Sequence, residues 1–119
     1  MKCLLTIFLF LGSVTVCFSQ NRQPREGFIQ VQGGRVWYKI VGTGNKTPLL
    51  LIHGGPGANS CIGIPVYSLL ADERSIIFYD QLGSGSSDRP TDTTLWKLPK
   101  FVNEIDTLRK VLHLKELHF

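Results

Sequence analysis

The feature that most constrains this chain is an apolar run that breaks without transition into glycine, "LLLIHGGPG" at residues 49–57. Four apolar residues in a row suit a short strand buried on both faces, the setting of a sheet covered by helices on either side. The same pattern recurs at residues 75–80, where "SIIFYD" runs into a second glycine-rich loop, "QLGSGSSDRP". Two buried strands, each ending in a flexible loop, restrict the fold to a few α/β arrangements.

The flanking segments fill in the order. "FIQVQ" and "RVWYKIV" are β-rich runs separated by Gly33-Gly34. They predict a tight hairpin, because both glycines can take positive φ. "GTGNKTP", residues 42–48, is a loop by composition. After the first glycine loop, Ile64, Tyr67, Leu70 and Ala71 fall at helical spacing, with Pro65 keeping that helix short and irregular. From about Pro99 the period is again helical. Phe101, Ile105, Leu108 and Leu112 recur every three or four residues, with Glu104 and Arg109 between them. Proline suits the first position of such a helix. Residues 117–119 read as the opening of another strand. Hairpin, strand, helix, strand, helix and a strand start together predict an α/β sheet with parallel crossovers.

The first nineteen residues have the layout of an export signal. Lys2 is a positive start, residues 4–10 are apolar, and Cys17 and Ser19 are small residues where a signal peptidase reads. The competing readings are a membrane anchor, for which the run is short of the roughly 20 apolar residues of a span, and lipid modification of Cys17. The expected organisation is a signal peptide at 1–19, a flexible lead-in at 20–26 and a folded domain at 27–119. The expected destination is outside the cell or the periplasm, with no stable membrane association after cleavage. Cleavage would leave Cys61 alone of the three cysteines, so no internal disulfide is expected and a half-buried structural role fits it. The formal charge of +4 is scattered without a basic run, which gives nucleic-acid binding no support. Asn45-Lys46-Thr47 matches a glycosylation sequon.

The two glycine loops carry the chemistry. Glycines let a backbone approach a substrate and aim N–H groups into a cavity, and in acyl-transfer enzymes such N–H groups stabilise the oxyanion of the tetrahedral intermediate. The second loop is not a dinucleotide fingerprint. Gly83 and Gly85 follow a strand, but Asp88 stands where the third glycine belongs and Arg89-Pro90 follow in place of a helix. No cofactor and no metal is implied.

Taken together, HGGPG after the third strand, YDQLGSGSSDRP after the fourth and LWKLPKFVNEIDTLRKVL beyond it resemble the proline iminopeptidase family of α/β-hydrolases. The likeness covers residues 27–119. It implies that the Gly55 N–H is an oxyanion donor and that Gly54 shapes the loop with Pro56 and Gly57. It implies that His53 orients the loop and is not the catalytic base. It gives Asp80, Gln81, Gly83, Gly85 and Ser86 the task of bracing the neighbouring loop. It also implies a serine nucleophile in a G-x-S-x-G elbow, with an acid and a histidine later. No serine in these 119 residues has that surround, and His113 and His118 fall where the family has no catalytic histidine. The expectation is therefore an incomplete domain that stops before the elbow and is inactive alone. Its parent would act on a peptide or a small amide or ester. The alternatives are a piece of another α/β-hydrolase, such as an epoxide hydrolase or esterase, or a non-catalytic remnant or binding module.

The leader generates the first prediction. N-terminal sequencing of the exported product should begin at Gln20; a membrane-embedded product that retains Met1 would contradict it.

Overall fold

The computed structural model describes residues 25–55 and 57–119. The leader, most of the lead-in and Pro56 lie outside the described residues. Three strands, β1 (Glu26–Val31), β2 (Gly34–Ile52) and β3 (Arg74–Tyr79), form one sheet. Helix α1 (Ile64–Tyr67) is a single turn flanked by 3₁₀ turns at Ser60–Ile62 and Ser68–Leu70, and α2 (Leu98–Val111) follows a third 3₁₀ turn at Thr93–Leu95.

The hairpin of β1 and β2 is antiparallel, with Phe28 opposite Trp37 and Val31 opposite Gly34. Its turn is Gln32-Gly33, one residue earlier than Gly33-Gly34. Both glycines take positive φ as expected, Gly33 at +98° and Gly34 at +155°, and Gly34 already begins β2.

Residues 42–48, expected to be a loop, are instead the bend of a continuous nineteen-residue strand. The first half of β2 runs against β3, with Tyr38 opposite Tyr79 and Val41 opposite Ile76; the second half runs with it, with Leu49 opposite Ile76 and Ile52 opposite Tyr79. The same β3 residues pair twice, so the two halves of β2 lie on opposite edges of β3. To get from one edge to the other, β2 crosses close to the segment that leads into β3. A Cβ on Gly44 would overlap the Glu73 backbone. Glycine spacing, read as loop composition, is here what lets a strand wrap around its neighbour. The Lys46 amide donates to the Glu73 carbonyl at 3.4 Å on the same crossing.

The outer edge of β2 carries the start of another strand, as the sequence suggested. The Leu50 N–H donates to the His118 carbonyl (2.7 Å) and the His118 N–H to the Pro48 carbonyl (2.9 Å), in parallel register with Leu49. Across the sheet the order is therefore β1, first half of β2, β3, second half of β2, and the His118 segment.

β3 is buried on both faces: Ile77 and Tyr79 pack with Leu108 of α2 and with Leu112 at its C-cap, and Ile76 and Phe78 are buried on the opposite face. Residues 49–52 fall short of that expectation. Leu50 is buried, but Ile52 is 40% exposed. Among the described residues, the face away from α2 is covered by α1 and its flanking turns. These three short pieces turn the chain too irregularly to present one apolar stripe, and Tyr67 and Leu70 are exposed rather than packed. Cys61, expected to be half-buried, is exposed in the first of these turns; the turn buries Ser60 instead.

α2 ends in a hydrogen-bonded cap in which the Leu114 N–H reaches the Arg109 carbonyl (2.9 Å) and the His113 N–H the Lys110 carbonyl (3.1 Å). This cap requires a left-handed residue, and His113 supplies it at φ +54°. A side chain there costs about 1 kcal/mol that glycine avoids. His113→Gly should therefore stabilise the fold by about 0.5–1 kcal/mol, read as a raised thermal midpoint.

Candidate functional site

Because Ile52 and Tyr79 end their strands side by side, the chain leaves the sheet twice at the same end, first into the 53–57 loop and then at Asp80. This is the carboxyl end of parallel strands, where α/β sheets place their ligands. The Gln81 N–H donates to Nε2 of His53 at 3.1 Å. With Nε2 accepting, the neutral imidazole carries its proton on Nδ1, a buried atom with no hydrogen-bond partner among the described residues. Gly55 follows with φ +73° and open space around the position of a Cβ.

Asp80 ties the two loops together. It is 3% exposed, and its carboxylate accepts the Ser60 N–H on Oδ1 (2.7 Å) and the Ser86 N–H on Oδ2 (2.8 Å). Gly85 packs so tightly on that carboxylate that a Cβ would overlap it. Ser87 Oγ accepts the Trp37 N–H (2.8 Å) and donates to the Asp80 carbonyl. The loop then rejoins β2 where the Asp88 N–H meets the Arg35 carbonyl (2.9 Å), and Arg35 grips the Asp88 carboxylate at 3.1 Å. Those hydrogen bonds from Arg35 hold the Asp88 carboxyl below its ordinary pKa. The pair is too solvent-exposed to add much stability, so it serves mainly to set the loop's return.

A cavity of about 630 Å³ opens between the loops. His53, Gly55 and Gly57 line one side and Gln81, Gly83 and Ser84 another. Trp96 and Phe101 form an aromatic wall with ring centroids 6.5 Å apart. The Trp96 ring lies against Gly83 so closely that any side chain at 83 would displace it. Of the residues singled out from the sequence, Asp80, Gly85 and Ser86 stand behind the cavity. Gly54 faces a smaller one, of about 270 Å³, with Asn59 and Phe78. Ser84 and Ser87 are buried, and neither lies in an elbow.

Sequence reasoning missed a polar group bonded to the amide of Leu82, which lines this cavity. Glu104 is 1% exposed, and its Oε2 accepts the Leu82 N–H at 3.3 Å. Its Oε1 has no partner among the described residues; nor has Lys100 Nζ, one turn earlier. Burial raises the Glu104 carboxyl above its ordinary value near 4.5, opposed by the Leu82 N–H and by Lys100. Burial, and then the Glu104 charge, push the Tyr79 phenol up to about 12, with the Gln81 side chain working the other way. The signal was in the sequence: position 104 lies three after Phe101 and four before Leu108, on the apolar stripe itself. Among the described residues there is no cluster of side chains suited to a metal ion, and no helix is long and apolar enough to cross a membrane.

A family profile described as the alpha/beta hydrolase fold matches residues 47–119, and the chain belongs to that family. Within it, the chain is 51% identical over 94 residues to a proline iminopeptidase of Heyndrickxia coagulans, an alignment covering 78% of this chain and 32% of the relative. It is 41% identical over 95 residues to the proline iminopeptidase of Clostridium botulinum, with the same shares. The solved proline iminopeptidase of Mycobacterium smegmatis superposes with a TM-score of 0.71 at 26% identity, covering 78% of this chain and 33% of that one. The likeness inferred from the two loops is borne out. The chain spans about a third of the length of the curated relatives it matches.

Glu104 generates a pH-dependent prediction. A carboxyl whose pKa is raised by folding favours the native state below its unfolded pKa, near 4.5, and loses that contribution as pH rises through the higher folded value. Glu104→Gln does not ionise. Its thermal midpoint should gain on that of the native chain between pH 4 and pH 8; a difference that stays constant or moves the other way would contradict the buried, raised carboxyl.

Proposed function

We propose that this chain is the N-terminal part of an exported serine aminopeptidase that releases N-terminal proline from peptides, with small amides or esters as simpler substrates. The observation that carries the reading is the His-Gly-Gly-Pro-Gly loop at the carboxyl end of the parallel strands, with Gly55 beside the larger cavity and His53 tied back to Gln81. The 51% identity to a proline iminopeptidase over this same region supports the choice of reaction.

When a nucleophile attacks a prolyl amide, the carbonyl oxygen becomes an oxyanion, and the Gly55 N–H is the donor offered to it, with Gly54 setting the path of the loop. His53 is unsuited to act as the base: its Nε2 lone pair is occupied by the Gln81 N–H. It serves instead as the post from which Gly54 and Gly55 are hung. The stacked Trp96 and Phe101 give the cavity an apolar side against which a substrate ring can lie. Nucleophile, acid and base are assigned to residues outside these 119, so the isolated chain should show no turnover. A carboxylate rather than a serine in the elbow would move the reading to the epoxide hydrolases.

The test is made in the full-length enzyme on a chromogenic prolyl amide. Gly55→Pro removes the N–H and cannot adopt φ +73°. Loss of one oxyanion donor costs on the order of 10²–10³ in turnover, and Gly55→Pro should lose at least that, mainly in kcat. Gly55→Ala keeps the N–H, and its Cβ meets open space in this chain. It should cost about 1–2 kcal/mol of stability from the positive φ and far less turnover. A folded Gly55→Pro enzyme with near-normal kcat, or a full-length protein inert towards prolyl substrates, would refute the reading.

A further inference from the structure

Gln81 and Leu82 are consecutive, and their two amides are held from opposite directions. The Gln81 N–H is bound by His53, from the first glycine loop, and the Leu82 N–H by Glu104, from α2. Fixing the Leu82 N–H fixes the peptide plane between the two residues, which hinges at the Gln81 Cα on the preceding plane that carries the Gln81 N–H to the imidazole. His53 in turn leads directly into Gly54 and Gly55. A chain of contacts therefore runs from a buried carboxyl on α2, through two successive peptide units, to the loop that faces the larger cavity.

The cost of placing a carboxyl here argues that it has a task. Position 104 belongs to the apolar stripe of α2, between Phe101 and Leu108, and is almost completely enclosed. A carboxyl with a single hydrogen bond is unfavourable in such a place, and an apolar side chain of similar volume would pack there without that penalty. Glu104 makes no salt bridge among the described residues, and its second oxygen is unpartnered. Among the described residues, the one hydrogen bond it makes is with the Leu82 amide. A local choice that contradicts the pattern around it commonly marks a functional demand.

We infer that Glu104 is a positioning residue for the 53–57 loop, acting by hydrogen-bond reach through Leu82 and Gln81 rather than by its charge. The inference rests on the proposed function only in taking that loop as the oxyanion loop. The linkage itself can be read whatever reaction the protein performs.

The experiment is nuclear magnetic resonance on the full chain labelled with ¹⁵N, measuring the scalar coupling across the Gln81 N–H···Nε2 His53 hydrogen bond. The native chain should show it. Glu104→Gln keeps an acceptor at the same reach and should retain it. Glu104→Asp keeps the charge but withdraws the acceptor by one methylene and should lose it. Glu104→Met fills the volume with no comparable acceptor and should lose it too, and it decides the question alone if the aspartate variant fails to fold. Absence of the coupling in the native chain overturns the inference. So does its survival in folded Glu104→Asp or Glu104→Met, or its loss in Glu104→Gln. A protein with the expected couplings but no prolyl turnover would leave the linkage standing and remove only the proposed reaction.

Discussion

The alignment of Ile52 with Tyr79 in two strands that run the same way governs the rest of the molecule. Neighbouring strands lie about 4.8 Å apart, so the two chain exits at their ends are adjacent by construction. That adjacency is what allows one backbone amide, Gln81, to reach an imidazole twenty-eight residues earlier in the chain. It also brings the Asp80 carboxylate within range of the Ser60 N–H beyond the first loop. Shifting the parallel register by one residue would exchange the faces of every side chain on residues 49–52 and separate those partners.

β2 achieves this register by an unusual route. A parallel pair ordinarily needs a crossover connection, and the segment from the first glycine loop through α1 supplies it. The antiparallel partner on β3's other edge is the same strand that later becomes the parallel one. The glycines at 42 and 44 permit that wrap, because the crossing chain passes where a side chain would strike the backbone before β3. The result is a strand, β3, buried on both faces and paired on both edges. It is the most constrained element of the described structure, and it carries Asp80 at its end.

Around the cavity, hydrogen bonds from the backbone do most of the positioning. Asp80 binds two N–H groups, Ser87 one, His53 one and Glu104 one. Buried polar groups demand partners. Here those partners are loop amides that would otherwise be left unpaired in a crowded interior. The same bonds that satisfy the loops also aim them, and glycines at 83 and 85 let an indole ring and a carboxylate approach the chain directly.

Much of this was legible from residue types alone. Apolar runs ending in glycine gave the two central strands, helical spacing gave α2, and the paired loops gave the family. Those features depend on local pattern, which the chain carries wherever it goes. Other features depended on neighbours distant in sequence. "GTGNKTP" has the composition of a loop, yet pairing with the segment before β3 makes it strand. The 60–70 segment has helical spacing, yet Pro65 and a partial covering leave it as three short turns with Tyr67 and Leu70 exposed. Glu104 was written on the apolar stripe, but only the packing of α2 over the Leu82 amide gives a buried carboxyl its partner. The sequence by itself determined the kinds of elements, their order and the loops that carry chemistry. The tertiary structure decided which amides those loops present and to whom, because a hydrogen bond needs its two groups within about 3 Å, and only the folded sheet brings residues so far apart in the chain to that distance.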